Sequence, residues 1–202
     1  GKSVAPPVWD CSCLEEVCGA CTMVINGRPM QSCSTLIDNL PDGPITLEPA
    51  SKFPVVRDLM VDRQPMFDAL KQVQAWIPID GTYDLGPGPR RAPEEAGEAY
   101  TFSRCMTCGC CMEACPNYDG TNPEQFIGPA PLGQIHYFGL NPTGKLNQSE
   151  RLDKVMSADG ITGCGNAQNC VEVCPKDIPL TEAITNLNPH VNKKRWTELF
   201  GR

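Results

Sequence analysis

The cysteines of this chain constrain its fold more than any other feature. Thirteen of the 202 residues are Cys, and five of them lie between positions 105 and 115. Disulfide bonds cannot use an odd number of thiols, no export leader is recognisable, and cytosolic thiols stay reduced. Such crowding therefore indicates that thiolates bind metal.

Composition argues against two other classes of protein. The formal net charge is −7, whereas a free-standing nucleic-acid-binding protein is normally basic. The apolar stretches are only a few residues long, whereas a bilayer span needs about 18 or more consecutive apolar residues. We therefore expect a chain that binds no nucleic acid and does not itself cross a membrane.

The residue patterns predict two domains, a β-rich domain over 1–62 and an α-helical domain over 63–202. Candidate strands lie at 22–25, 30–33 and 45–47, and Asn26-Gly27 is the preferred dipeptide of a type I′ hairpin turn. Beyond residue 62 the apolar spacing is helical. It predicts helices from about Phe67 to Ile77 and over 94–104, 129–139, 149–157 (capped by Ser149), 180–187 and 190–200. A Gly- and Pro-rich irregular connection is expected over 80–92, and the fold class is α+β.

The first group of cysteines has the plant-type [2Fe–2S] spacing. Cys13, Cys18 and Cys21 share one loop, with four and two intervening residues, and Cys33 follows after eleven more. A zinc site is the alternative, but structural zinc sites usually take two close cysteines from each of two segments. Cys11 breaks the spacing, and we predict that it is a small buried residue.

The second group matches the bacterial ferredoxin run C-x2-C-x2-C-x3-C-P. It consists of Cys105, Cys108, Cys111 and Cys115, with Pro116 directly after. In two-cluster ferredoxins the fourth Cys of such a run binds the other cluster. Cys110 lies outside this register and is assigned to no metal.

The third group is the same run with one ligand missing. It contains Cys164, Cys170 and Cys174, followed by Pro175, and Ala167 stands where a complete run has its second Cys. Crossed ligation then gives two unequal clusters. The predicted [4Fe–4S] ligands are Cys105, Cys108, Cys111 and Cys174, and the predicted [3Fe–4S] ligands are Cys115, Cys164 and Cys170. The alternative is a four-iron cluster with water or another ligand on its fourth iron.

In type and order, these three groups resemble the iron–sulfur subunit of succinate dehydrogenase and fumarate reductase. The resemblance covers nearly the whole chain and includes the segments 53–59 and 174–176. The segment 9–21 resembles the branch of this family that is found in Gram-positive and related bacteria and that commonly works with menaquinone.

This resemblance implies a fold, a role and partners. The fold would be a plant-type ferredoxin β-grasp followed by an α-helical bacterial-ferredoxin-like domain. The chain would be a subunit of succinate:quinone oxidoreductase, respiratory complex II of the tricarboxylic acid cycle. It would pass single electrons from a flavoprotein subunit with covalent FAD through [2Fe–2S], [4Fe–4S] and [3Fe–4S] to quinone. Cytochrome b anchor subunits, often with haem b, would hold it peripherally on the cytoplasmic face of the bacterial plasma membrane.

Two departures from the family pattern bear on these expectations. Family members usually open with an additional β-hairpin and helix, whereas Cys11 comes almost at once here, so we expect a β-grasp truncated at its start. Ubiquinone-using members typically carry a Trp shortly after the first Cys-Pro and a His after the first Cys of the third group. Residues 117–120 and Gly165 stand there instead, which favours menaquinone.

Several alternatives stay open at the level of sequence. The same subunit fits a fumarate reductase that works in the reverse direction, because direction depends on the quinone and flavin potentials. A free-standing multi-cluster ferredoxin and a zinc-binding module are further hypotheses. No acid–base catalytic set is visible, and we expect His136 and His190 at packing or surface positions. Trp196 and Phe200, near three basic residues, suit either a membrane interface or ordinary packing.

Overall fold

The computed structural model describes residues 5–77, 90–122, 126–157 and 159–201. Most of the predicted irregular connection over 80–92 lies outside these residues. The strands are β1 (Thr22–Ile25), β2 (Arg28–Gln31), β3 (Leu47–Glu48), β4 (Val55–Arg57) and β5 (Met60–Val61). The α-helices are α1 (Gln64–Gln72), α2 (Pro93–Ser103), α3 (Cys110–Glu113), α4 (Pro129–Leu140), α5 (Gln148–Asp153), α6 (Asn169–Glu172) and α7 (Leu180–Phe200). The predicted α+β class is confirmed.

A small antiparallel sheet forms the centre of the first domain, in the order β2-β1-β3. Asn26 and Gly27 have φ values of +49° and +78°, as a type I′ turn requires, so the predicted hairpin is confirmed. Because a two-residue turn pairs Ile25 directly with Arg28, the return strand begins two residues earlier than predicted. The third strand begins two residues later than predicted, since Thr46 is hydrogen-bonded to the Asn26 turn.

A second hairpin and a helix connect the sheet to the helical half. The hairpin of β4 and β5 was not predicted, because its strands are only three and two residues long. The following helix, α1, ends at Gln72 rather than near Ile77, because Gln74 adopts a left-handed conformation with φ +51°.

The helical half is built around α4, which contacts α7, α2 and α1. Leu132 and Ile135 of α4 and Leu187 and Val191 of α7 are buried in one apolar cluster. Two separate helices had been predicted around Pro189, and this is wrong, since α7 is continuous. Leu187 and Val191 are buried on either side of Pro189, and this packing stabilises the helix across the proline.

Two further features of the helices are the start of α5 and the length of their apolar stretches. Ser149 does not cap α5, because the helix begins at Gln148 and the Ser149 hydroxyl instead accepts a hydrogen bond from Lys194 Nζ at 2.6 Å. Within the described part of the chain, no helix is both long and apolar enough to cross a membrane.

Polar contacts join the sheet domain to the helical half. Arg63 donates to the carbonyl oxygens of Gly19 at 2.7 Å and Thr107 at 3.2 Å. The Glu113 carboxylate accepts hydrogen bonds from the backbone of Ser51 and Lys52 at 2.8 and 2.9 Å. The boundary at residue 62 stays a prediction, because residues on both sides of it enter the same core.

Candidate iron–sulfur sites

The loop that carries the first group of cysteines directs backbone N–H groups at sulfur. Leu14 and Glu16 both have positive φ values, and the turns they produce expose the amides that follow them. Glu15 N and Val17 N lie 3.3 and 3.4 Å from Cys13 Sγ. These hydrogen bonds lower the pKa of the Cys13 thiol from 9.0 to about 7. The loop is therefore built to stabilise a thiolate, which is the form that binds iron.

The β1–β2 hairpin brings the other end of this group into place. Thr22 pairs with Gln31 across the two strands, and this pairing places Cys33, two residues beyond Gln31, next to Cys21. Cys33 N donates to Cys21 Sγ at 3.5 Å, and Ala20 N donates to Cys18 Sγ at 3.4 Å. Burial raises the pKa of Cys33, and the nearby thiols of Cys21 and Cys13 raise it further. The structure thus gathers all four predicted [2Fe–2S] ligands.

The four predicted [4Fe–4S] ligands line a single cavity. These ligands are Cys105, Cys108, Cys111 and Cys174. Burial raises the pKa of Cys111 well above its ordinary value, and the thiols of Cys108, Cys105 and Cys174 add to the effect. Ile178 N donates to Cys174 Sγ at 3.5 Å. Cys174 therefore joins the second group, as crossed ligation predicts.

The three predicted [3Fe–4S] ligands, Cys115, Cys164 and Cys170, line a second cavity. The pKa of Cys170 is raised to about 11, first by burial and then by the nearby thiols of Cys115 and Cys164. Ala167 lines this same cavity on its exposed side. The methyl group of Ala167 thus occupies the position at which a complete run would supply a fourth thiolate.

Crossed ligation follows from a local structure that the two runs share. Each run contains a one-turn helix, α3 in the first and α6 in the second, preceded by a left-handed residue. These residues are Gly109 with φ +90° and Gln168 with φ +64°. Asn169 Nδ2 donates to the carbonyl of Ala114 at 3.1 Å and joins the two turns. Because the turns face each other, the last Cys of each run meets the early cysteines of the other.

The remaining residues that the sequence singled out fall into distinct environments. Cys11 is exposed, so its predicted burial is wrong, because it lies in a surface loop without regular structure. His136 is buried, bonds Glu98 Oε1 at 2.8 Å and contacts the Phe102 ring edge-on, which confirms a packing role. His190 is exposed, as expected for a surface role.

The aromatic pair near the end of α7 does not pack into the domain. Trp196 and Phe200 stack on each other with ring centroids 4.9 Å apart, and both side chains stay largely exposed.

The donor atoms of these sites are thiol sulfurs, which fits iron–sulfur clusters. The eleven predicted thiols form three ligand sets, two of which line separate cavities. Backbone N–H groups donate to sulfur at Cys13 and at Cys174, as is typical of iron–sulfur sites.

Together, the fold and these sites define an electron-transfer protein with a plant-type and a two-cluster ferredoxin domain. A family described as 2Fe-2S iron-sulfur cluster binding domain matches residues 2–68, and one described as 4Fe-4S dicluster domain matches residues 101–178. A succinate dehydrogenase iron-sulfur subunit of Bacillus subtilis is 56% identical over 201 residues, covering all of this chain and 78% of the relative. A fumarate reductase iron-sulfur subunit of Wolinella succinogenes is 36% identical, covering 89% of this chain and 75% of the relative.

A solved structure supports the same conclusion. A chain of the Mycobacterium smegmatis Sdh1 complex in the apo form is 26% identical, with a TM-score of 0.79, over 94% of this chain and 79% of that one. The chain belongs to the family of succinate dehydrogenase and fumarate reductase iron–sulfur subunits.

Proposed function

We propose that this chain carries single electrons from an FAD-containing flavoprotein subunit to quinone through three clusters. The ligands are Cys13, Cys18, Cys21 and Cys33 for [2Fe–2S], Cys105, Cys108, Cys111 and Cys174 for [4Fe–4S], and Cys115, Cys164 and Cys170 for [3Fe–4S]. Bound clusters supply one-electron redox chemistry, and the protein sets their potentials through ligands, hydrogen bonds to sulfur and burial.

One observation carries the proposal more than any other. Cys174 lines a cavity with the second group, and Cys115 lines a cavity with the third, although each belongs to the other run in sequence. This exchange is the arrangement of a two-cluster ferredoxin, and a zinc-binding module would not need it. The three thiols of the second cavity, with Ala167 beside them, support a three-iron centre.

Exposed apolar residues around the first cluster loop support docking of the flavoprotein there. Leu14, Val17, Leu36 and Ile37 are each more than half exposed. Ser34 Oγ and Glu16 Oε1 are 2.6 Å apart and hold the two segments that carry these residues together. An apolar patch beside the [2Fe–2S] ligands suits a permanent partner that delivers electrons at this end.

The residues around the three-thiol cavity support a quinone site at a membrane anchor. Asn117 belongs to the segment 117–120, which stands where ubiquinone-using members have a Trp, and Gly165 stands in place of their His; both residues line the three-thiol cavity. They are so close that a Cβ on Gly165 would lie 2.9 Å from Asn117 Oδ1. We propose that a quinone, with menaquinone favoured, binds at this edge against cytochrome b anchor subunits with haem b. The chain would then lie peripherally on the cytoplasmic face of the plasma membrane.

Electron paramagnetic resonance with redox titration of the isolated complex tests the cluster assignment. We expect three distinct signals and about nine irons per chain, whereas stoichiometric zinc with little iron would refute the proposal. Cys18→Ala, Cys108→Ala and Cys170→Ala should each remove or alter one signal. Cys11→Ala and Cys110→Ala should keep all three. Loss of the four-iron signal in Cys110→Ala but not in Cys111→Ala would show that the register is wrong.

The physiological direction that we propose is succinate oxidation. The support is the 56% identity to a succinate dehydrogenase subunit, against 36% to a fumarate reductase subunit. Rates of succinate oxidation and fumarate reduction by the same membranes, measured with their native quinone, test this. A faster fumarate reduction would favour the reverse direction.

A further inference from the structure

Arg63 contacts both of the loops that carry ligands of the first two proposed clusters. It lies between the β4–β5 hairpin and α1. Its Nη1 atom donates to the carbonyl oxygen of Gly19 at 2.7 Å and to that of Thr107 at 3.2 Å. Nη1 carries two protons, so it can donate to both carbonyls at once. Each carbonyl belongs to the residue next to a proposed ligand, Cys18 in the first loop and Cys108 in the second.

The positive charge of Arg63 is not neutralised by a carboxylate among the described residues. Its guanidinium carbon instead lies 5.8 Å from the centroid of the Phe67 ring, one turn further along α1. Arginine stays protonated in proteins, and Arg63 is partly buried, where salt screens a charge much less than on the surface. A full positive charge therefore acts on both loops.

The stability of α1 does not explain a cation at this position. Arg63 is the N-cap residue of the helix, and its side chain makes no capping hydrogen bond. Asp62 supplies the hydrogen bond at the helix start instead, because its Oδ1 atom accepts from Gln64 N at 2.9 Å. A positive charge at a helix N-terminus opposes the helix dipole and is unfavourable there. The side-chain hydrogen bonds of Arg63 thus serve the two ligand loops rather than its own helix.

We propose that the charge of Arg63 raises the potentials of both the [2Fe–2S] and the [4Fe–4S] clusters. This role rests on the ligand assignment of the previous subsection. Each cluster gains one negative charge when it accepts an electron, and a fixed positive charge nearby stabilises that reduced form. Arg63 is a positioning residue, since it contacts the loops and not the ligand sulfurs.

Potentiometric titration of the intact complex, followed by paramagnetic resonance, tests this role. Arg63→Met removes the charge and all donors but keeps an unbranched side chain. We expect the three signals to persist. The ratio of reduced to oxidised [2Fe–2S] at a fixed potential should fall about tenfold, as for a unit charge about 12 Å away at an effective dielectric constant of about 20. For one electron this is a midpoint shift of about −59 mV, and the [4Fe–4S] midpoint should fall as well.

Arg63→Lys separates the effect of the charge from that of the loop geometry. Lysine keeps the positive charge and loses the planar fork, so both midpoints should stay close to those of the unaltered complex. A fall equal to that in Arg63→Met would show that geometry alone sets the potentials, and it would overturn the role of the charge.

Lys71→Met is the matched control, because it removes an exposed positive charge from the same helix. Eight residues along a helix span about 12 Å, which exceeds the Debye length of about 10 Å at 0.1 M salt. Neither midpoint should therefore change. A fall equal to that in Arg63→Met would show that any positive charge on α1 has this effect, against a specific role of Arg63.

The remaining outcomes separate failure of this role from failure of the ligand assignment. Unchanged midpoints of both clusters in Arg63→Met, with all three signals present, overturn the role of Arg63 alone. If that variant does not assemble, Arg63→Gln keeps an amide donor and removes the charge, and unchanged midpoints in it overturn the role equally. Absence of the [2Fe–2S] or [4Fe–4S] signal from the unaltered complex would refute the ligand assignment and the role of Arg63 together.

Discussion

Gly19 and Cys108 approach so closely that a Cβ atom added to Gly19 would lie 2.5 Å from Cys108 Cα. These residues belong to the loops that carry the first and second groups of cysteines, and their close approach puts the two backbones in direct contact. Arg63 strengthens it by donating to the Gly19 carbonyl and to that of Thr107, which directly precedes Cys108. The distance between the first two proposed clusters therefore depends on residue 19 being a glycine, which has no side chain.

Gly19→Ala tests this dependence. The residue has φ +70°, which is unfavourable by about 1–2 kcal/mol for a residue with a Cβ, and the clash with Cys108 adds to this cost. We expect the free energy of unfolding to fall by about 2–4 kcal/mol and electron transfer beyond [2Fe–2S] to slow. Denaturant titration and paramagnetic resonance are the measurements. Gly97→Ala is the matched control, since its Cβ would meet nothing within 4 Å and a helical Ala should stabilise by about 1 kcal/mol.

The grouping of the cysteines in two common cavities could be predicted, because the cysteine spacing is a local feature of the sequence. The contact between Gly19 and Cys108 could not, since a single glycine in a loop carries no signature of its partner in the other domain. The sequence also predicted two helices where the structure has the single helix α7, because Pro189 is a local helix-breaking signal. The burial of Leu187 and Val191 outweighs this signal. The spacing of the cysteines could be recognised in the sequence, whereas contacts between segments that are distant along the chain could be identified only from the structure.

The thiol of Cys13 should titrate about two pH units below an ordinary thiol in the cluster-free chain. Backbone N–H groups of Glu15 and Val17 lower its pKa to about 7, whereas burial raises that of Cys33. We expect the alkylation rate of Cys13 to be half-maximal near pH 7 and that of Cys33 to rise only at higher pH. Mass spectrometry of the alkylated peptides measures both, and a Cys13 profile centred near pH 9 would contradict the N–H contacts.

The same shift predicts how stability depends on pH. The folded pKa lies below that of an unfolded thiol, so the unfolded chain binds more protons between these two values. The contribution of Cys13 is therefore fully present above pH 9 and is lost as the pH falls through 7.

Arg151 should matter to stability, although it lies outside the proposed cluster sites. It is fully buried and donates to the carbonyl oxygens of Gln74, Gly144 and Trp76 at 3.0, 2.6 and 2.7 Å. Arg151→Met should remove these donors and lower the free energy of unfolding by about 3 kcal/mol. Chemical denaturation measures the loss.

An exposed arginine provides the matched control for this experiment. Within the described part of the chain, the single ion pair of Arg57 is with the neighbouring Asp58 carboxylate, at a distance of 3.6 Å. A surface pair contributes about 0–1 kcal/mol, so Arg57→Met should have little effect. Equal losses in the two variants would show that the buried carbonyl contacts of Arg151 contribute nothing.

Ala167 should decide the iron content of the third cluster. Its side chain lines the cavity of Cys115, Cys164 and Cys170 at the position where a complete ferredoxin run has a Cys. A methyl group cannot bind iron, whereas Ala167→Cys adds one sulfur atom to an exposed residue with little disturbance of the backbone. We expect this variant to bind a fourth iron and to convert the centre from [3Fe–4S] to [4Fe–4S].

The conversion has a spectroscopic and a kinetic consequence. A three-iron centre is paramagnetic when oxidised and a conventional four-iron centre is not, so the signal of the oxidised protein should disappear. We expect the converted centre to be harder to reduce, because cluster type sets the potential. Quinone reduction should then slow, while succinate oxidation with a dye that takes electrons upstream should be largely kept. Ala167→Ser is the matched control, because its hydroxyl is similar in size but supplies no thiolate, and it should keep the three-iron signal. If Ala167→Cys kept the full oxidised three-iron signal with unchanged iron content, residue 167 would not determine the cluster type.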